Sequence, residues 1–312
     1  MLQIPSLYMV WNPSEGIDLG FIMIRYYSLM FVIAFGIGLY IMKKIFIREN
    51  EPLEKLDSLL VYTIMGTLLG ARLGHVIFYQ SELFKDDPWS ILLPIRTNPE
   101  FEFTGFSGLA SHGAAIAIII STYIFSKKVM HKPLLWLLDR IVITVASGAI
   151  FVRIGNFINS EIVGEITTSK FGIQFVQDYF SKYDAVNETK IGNYKEAYKA
   201  IASDSNFSHL LAQVPAKHPA QLYEAVSYVF VFLILYFLYW KTNIREKQGY
   251  LFGLFLVLLW SVRFVVEFFK ESQGGIESMF GNILKTGQLL SIPFIFLGIY
   301  FMWKAYQNKV NS

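Results

Sequence analysis

"LLWLLDRIVITVASGAIFVRIGNFINSEIVG", residues 134–164, decides the fold. Residues 134–154 form an apolar run as long as the helix of about 20 residues that crosses a bilayer. Arg153, Asn156, Asn159 and Glu161 then follow within nine positions, with Gly155 and Gly164 among them. An ionisable group in hydrocarbon costs several kcal/mol unless it is paired or hydrated, and by default it marks function. The stretch is predicted to be a membrane helix that ends in a polar site.

Six more apolar runs flank it, at 22–42, 57–79, 107–126, 219–240, 249–269 and 286–306. The composition agrees: 54% of the 312 residues are hydrophobic and 16% charged, with mean hydropathy +0.43. A soluble domain carries about 25% charged residues. Aromatics at 17% suit two interfacial belts. The reading is an all-α polytopic membrane protein with seven transmembrane helices. Loops on one side carry Lys43, Lys44, Arg48, Lys55, Lys127, Lys128, Lys132, Arg140, Lys241, Arg245 and Lys247, and the C-terminal tail adds Lys304 and Lys309. The other side offers only Lys85, Arg96, Lys270 and Lys285. The excess of basic residues faces the cytoplasm, so the expected topology is N-out and C-in.

The segment 155–218 is too polar to span and is expected to form an external arm or cap between helices 4 and 5. The expected division is 1–154, 155–218 and 219–312. The first twenty residues hold no Lys or Arg, unlike the basic start of a signal peptide, so the first apolar run is expected to stay in the mature protein. Gly66, Gly70 and Gly74 make a stripe for close helix packing, with Arg72 pointing away from it. There is no cysteine, which excludes disulfides and a cysteine nucleophile. No HExxH, GxSxG or P-loop motif is present, and no cofactor, metal site or nucleic-acid signature is read from the chain.

Five short motifs carry the polar residues of the membrane segments. If helical, Arg153, Asn156 and Ser160 share one face. The guanidinium offers a planar fork of donors suited to phosphate; the alternative is an Arg reaching to the interface from a helix end. "GFSGLASHGAA" (105–115) brings His112 among small residues, either as a satisfied structural histidine or as a proton acceptor. "HPAQLYEA" (218–225) sets Gln221 and Glu224 on one face of a helix opened by Pro219, with His218 and Tyr223 beside them. "RFVVEFFKE" (263–271) holds Arg263 and Glu267 at i, i+4, where they neutralise each other or share a phosphate. "IRYYSLMF" (24–31) opens the first helix with Arg25 and two tyrosines. Four guanidinium groups, Arg25, Arg72, Arg153 and Arg263, suit an anionic headgroup. A transporter or channel for an anionic solute is the alternative.

The ordered set "GARLGHVIFY" (70–79), "SGLASHGAA" (107–115), "RIGNFINSEIVG" (153–164), "HPAQLYEA", "RFVVEFF" and "GQLLSIP" (287–293) resembles the prolipoprotein diacylglyceryl transferase family over nearly the whole chain except the arm. The family more often has Tyr at the place of His75. Its 164–218 segment is shorter.

The resemblance implies a bacterial cytoplasmic-membrane enzyme with its site toward the outer face. It would move a diacylglyceryl group from phosphatidylglycerol to the thiol of a lipobox cysteine in a preprolipoprotein, form a thioether and release glycerol 1-phosphate. It carries over Arg153, Asn156, Glu161 and Gly164 as essential or important positions, and with them His112, Arg263, Glu267 and Tyr27. In that reading His112 is the general base, and Arg153 and Arg263 bind the phosphate. Tyr27, Asn156, Asn159, Glu161, Gly164 and Glu267 bind or orient substrate. Arg72, His218, Gln221, Tyr223 and Glu224 support them.

Overall fold

The computed structural model describes residues 8–20, 23–93, 95–97, 100–103, 110–272 and 283–307. Among the described residues, seven helices are long and apolar enough to cross a membrane. They are α1 (Tyr26–Arg48), α2 (Leu53–Tyr79), α3 (Ser111–Phe125), α4 (Leu134–Ile158), and, after a polar segment whose longer helices are α5 (Lys182–Thr189) and α6 (Tyr194–Ser203), α7 (Ala220–Lys241), α8 (Tyr250–Val266) and α9 (Thr286–Gln307). A wider turn, Ser126–Met130, prolongs α3, and a tighter one, Glu267–Phe269, prolongs α8. Large apolar side chains such as Val32, Ile77, Phe78, Ile119, Phe230 and Phe296 are exposed along these helices, as lipid-facing surfaces require. The apolar run at 22–42 becomes helical only from Tyr26, because Met23–Arg25 pair antiparallel with Gly16–Asp18.

The chain forms two compact units, residues 39–140 and residues 1–38 with 141–312. In the smaller unit, α2 and α3 pack through small residues. A Cβ on Gly70 would strike Ala117 and the Gly113 carbonyl, and one on Gly74 would lie 2.6 Å from Gly113 Cα. The glycine stripe is thus a contact face. At one end, Glu49 pairs with Arg140 at 2.9 Å, and Glu51 with Lys132 at 3.0 Å and Lys55 at 3.2 Å.

In the larger unit, the polar segment after α4 folds around its own core. Val176, Phe180, Ala185, Ala197, Tyr198, Ile201, Leu210 and Val214 are buried together. The apolar positions of α6, Ala197, Tyr198 and Ile201, fall on one face, and Asn193 caps its start by accepting from Lys195 N at 2.9 Å. Ser181 and Asp184 form a reciprocal capping box at the start of α5. The start of the chain joins this core. Met9–Trp11 pair in parallel with Ile173–Phe175, which pair antiparallel with Ala216–Lys217. Trp11 also stacks on Phe157 of α4 with ring centroids 4.2 Å apart and donates Nε1–H to the Phe157 carbonyl at 2.9 Å. Trp11→Ala removes both contacts and is expected to cost about 3 kcal/mol. Thermal unfolding in detergent reads this as a lower midpoint.

A second tie binds the membrane helices. Residues 163–167 run as an extended strap between the chain entering α7 and the chain leaving α8. Gly164 N donates to His218 O (2.8 Å), Glu165 N to Phe269 O (2.8 Å), His218 N to Glu165 O (2.9 Å) and Thr167 N to Ala216 O (2.8 Å). The ends of α4, α7 and α8 are therefore fixed to one another by backbone hydrogen bonds.

Candidate active site

Helix α4 does not stop at Ile154 but continues to Ile158, so Arg153 and Asn156 lie within its last turns. It ends in a Schellman turn. Ser160 N donates to Phe157 O at 3.0 Å and Glu161 N to Asn156 O at 3.0 Å, with Ser160 left-handed at φ 53°. Ile162 follows at φ 60°, a left-handed conformation that a β-branched residue rarely adopts. Such strain persists where the surroundings enforce it, and it clusters at functional sites. Here it turns the chain back over the helix end. The Glu161 carboxylate thereby accepts from Asn156 Nδ2 at 2.7 Å, and Gln221 Nε2 donates to the Glu161 carbonyl at 2.7 Å.

Arg153 is the hub. Its Nη1 donates to Asn156 Oδ1 at 3.2 Å, and its Nε lies 2.8 Å from Glu224 Oε2. The N–H is not aimed at that oxygen, so the second contact is Coulombic. Glu224 sits in the buried seam of α7, between Gln221 and Tyr228, and is 1% exposed. Tyr27 packs its ring on Gly155, where a Cβ would lie 3.0 Å from it, and it feels the charges of Glu161 and Arg153. From α8, Glu267 reaches 3.9 Å from Lys270 Nζ. A Cβ on Gly287 would collide with the Glu267 carboxylate, so the first glycine of "GQLLSIP" leaves room for it. His218 Nδ1 lies 3.0 Å from the Tyr223 hydroxyl, and both rings pack on Phe269.

Lys270 is the member that motif reading missed. It looks like a loop charge, yet it is 3% exposed and interacts with Glu224, Glu267, Arg153 and Arg263. Burial pushes its ammonium below the ordinary lysine range, against the opposing pull of Glu224 and Glu267. Its signal was in the spacing, because Arg263, Glu267 and Lys270 lie at i, i+4 and i+7, one helical face.

Three candidates are described apart from this cluster. Asn159 is exposed, makes no side-chain hydrogen bond among the described residues and serves as the helix cap. Arg72 and His112 belong to the smaller unit. Arg72 donates Nε–H to the Ile91 carbonyl at 3.0 Å and Nη2–H to the Ser90 carbonyl, so it pins the turn at Ser90 and Ile91. His112 is exposed in the first turn of α3, and Gly105 and Gly108 of its motif lie outside the described residues.

The bonding within the cluster is incomplete. Ser160 Oγ, Gln221 Oε1, both Glu224 carboxylate oxygens, Arg263 Nε and Glu267 Oε2 are buried without a hydrogen-bond partner among the described residues. Leaving such a group unsatisfied costs about 1–3 kcal/mol each, more for charges. Several such groups together call for an explanation, and a catalytic role is one.

The class defined is a multi-pass helical membrane protein with an under-bonded, mixed-charge cluster buried at one end of its helices. Comparison with known families narrows it: residues 15–304 match the family described as prolipoprotein diacylglyceryl transferase, and the chain belongs to that family. It is 34% identical over 302 residues to the phosphatidylglycerol–prolipoprotein diacylglyceryl transferase of Tolumonas auensis, covering 96% of this chain and 99% of that one. It is 32% identical to the enzymes of the same name from Bacteroides fragilis, covering 94% of each chain, and from Chloroherpeton thalassium, covering 96% and 95%.

Proposed function

We propose that this chain transfers the diacylglyceryl group of phosphatidylglycerol to the cysteine thiol of a lipobox-containing preprolipoprotein. The observation that carries the reading is the set of buried, unpartnered donors and acceptors around Arg153, Glu224, Arg263 and Glu267. It matches a substrate that is an anion at its phosphate and a polyol at its glycerol. The transport alternative gains no support from the relatives.

In the reaction the cysteine sulfur bonds to the glyceryl carbon and the carbon–oxygen bond to phosphate breaks. The thiol proton goes to a base, and glycerol 1-phosphate leaves with the electron pair. Arg153 and Arg263, with Lys270 beside them, offset the charge of the phosphate. Such donors act most strongly in a water-poor site. Asn156, Glu161, Tyr27 and Glu267 orient the headgroup and the side chains around it. Asn159, Gly164, His218, Gln221 and Tyr223 hold the backbone frame. His112 is the proposed base. Neighbouring cations ease the proton transfer by lowering the pKa of the substrate thiol from its ordinary value of about 8.5.

The reading places the N-terminus and the 155–218 arm outside the cytoplasmic membrane, the C-terminus inside, and the site toward the outer face. Pairing of Met9–Trp11 with Ile173–Phe175 supports one part of it, a shared side for the N-terminus and the arm, since four candidate spans separate the two strands and return the chain to one side.

Purified protein incubated with phosphatidylglycerol and a cysteine-containing lipobox peptide should yield peptide heavier by the diacylglyceryl mass. No product from folded protein would overturn the reading, and product from His112→Gln at near-normal rate would remove the base role. Lys270 gives a pH test. Its depressed ammonium loses charge earlier on the alkaline side than an ordinary lysine, so affinity for the anionic lipid should fall as pH rises through that point. An arginine keeps its charge. Lys270→Arg should therefore move the alkaline limb of the phosphatidylglycerol KM to higher pH, and an unmoved limb would exclude Lys270 from the phosphate site.

A further inference from the structure

A cavity of about 360 Å³ lies beyond the Arg153 cluster, in the same unit. One wall is the 12–18 segment with Met23. The other is one face of α6, presenting Tyr194, Lys195, Tyr198 and Lys199. Both ends of the first wall are tied to the reaction end of the helices. Asn12 follows Trp11, which is stacked on Phe157. At the other end, Glu15 O accepts from Tyr26 N at 3.1 Å, one residue before Tyr27. The cavity therefore adjoins the place where Tyr27 meets Gly155.

Its charges are unevenly used. The Glu15 carboxylate is held by Lys182 at 2.8 Å and by the Tyr194 hydroxyl at 3.4 Å. Asp18 Oδ1 accepts from Gly20 N at 2.9 Å. Lys195 and Lys199 stand at i, i+4 on α6, exposed, and their ammonium groups have no ion-pair or hydrogen-bond partner among the described residues. The rim thus carries two cations without an ion-pair partner among the described residues, against the single Asp18 carboxylate that has only the Gly20 N–H. The fixed carboxylates of Glu15 and Asp18 face them across the cavity and disfavour a lipid phosphate deep inside. An extended peptide with acidic side chains suits both walls, because it brings backbone N–H donors to one and carboxylates to the other.

We propose that this cavity holds the polypeptide substrate itself, through an acidic stretch on the C-terminal side of the reacting cysteine. The inference rests on the transferase reading above. The apolar leader before the cysteine stays in lipid, so the polar chain after it is the part that reaches a polar cavity beside the helix ends.

The test uses full-length protein, phosphatidylglycerol vesicles and three lipobox peptides identical through the cysteine, followed by an acidic, a neutral or a basic extension. Wild type should show a peptide KM about fivefold lower for the acidic than for the neutral extension, as expected for two exposed charge pairs. The double variant Lys195→Glu/Lys199→Glu should invert the order and favour the basic extension. A misfolded protein cannot produce that gain. An order unchanged by charge reversal overturns the proposal, as does a change confined to the phosphatidylglycerol KM, which would mark an anionic-lipid surface. If wild type lipidates no peptide, the transferase reading fails separately. Fluorescence anisotropy of the same labelled peptides then decides the cavity: an order of affinities that inverts with the variant supports it, and equal affinities overturn it.

Discussion

Arg153→Ala is expected to reduce diacylglyceryl transfer by about 10³-fold or more, the largest single effect in the chain. Two losses combine. The phosphate loses a directed donor, which in water-poor sites is worth about 10²–10³ in rate. Glu224, 1% exposed, loses its only ion-pair partner among the described residues, and leaving a buried charge uncompensated costs about 3–5 kcal/mol. Arg153→Lys should not rescue transfer. A compact ammonium cannot meet Glu224 and Asn156 as Nε and Nη1 do together. The double variant Arg153→Ala/Glu224→Ala separates the terms: it should recover thermal stability without recovering activity. Retention of more than about a tenth of wild-type kcat/KM by Arg153→Ala would remove it from the centre of the site, given the donor's expected worth.

Gly164→Ala should cost nearly as much, for a different reason. Gly164 does not have positive φ, so the demand is for space. A Cβ there would lie 2.5 Å from the Phe269 carbonyl and 2.6 Å from His218 Cβ and its carbonyl. Those neighbours are mostly backbone, which gives way only by moving the strap. Overpacking of this kind costs about 1–3 kcal/mol, and the hydrogen bonds from Gly164 N and Glu165 N weaken with it, about 1 kcal/mol each. The displacement reaches Glu224 and Glu267, which sit on the helices the strap joins. A fall in activity of about 10²-fold, with a lower unfolding midpoint, is the expected result. An alanine variant with normal midpoint and normal kinetics would show that the strap has slack.

The seven helices were legible because length and apolarity suffice to mark them, and the motif order pointed to the family. What pattern reading missed depended on distant partners. The strand at Met9–Trp11 looks like part of an unremarkable leader until Ile173–Phe175 folds beside it. Lys270 was counted with the loop charges, although its spacing from Arg263 and Glu267 placed it on their face. Arg72 is a further case. An arginine in a membrane segment suggested support for an anion site, and the structure shows its Nε–H and Nη2–H donating to the Ile91 and Ser90 carbonyls, partners that no spacing reveals. Glu161 was legible only as a motif position, because its partner depends on the left-handed turn at Ser160, which brings it back onto Asn156.

The pairing of Met9–Trp11 with Ile173–Phe175 also sets an order of assembly. At a synthesis rate of about 5–20 residues per second, the first strand emerges many seconds before its partner exists. Four helices must enter the membrane in between. During that interval a short edge strand with exposed Met9 waits unpaired, open to chaperones or to premature pairing. Biogenesis of this protein is therefore most vulnerable at the Met9–Trp11 strand. A bulky fusion placed there would delay closure of the arm even if every helix inserted correctly.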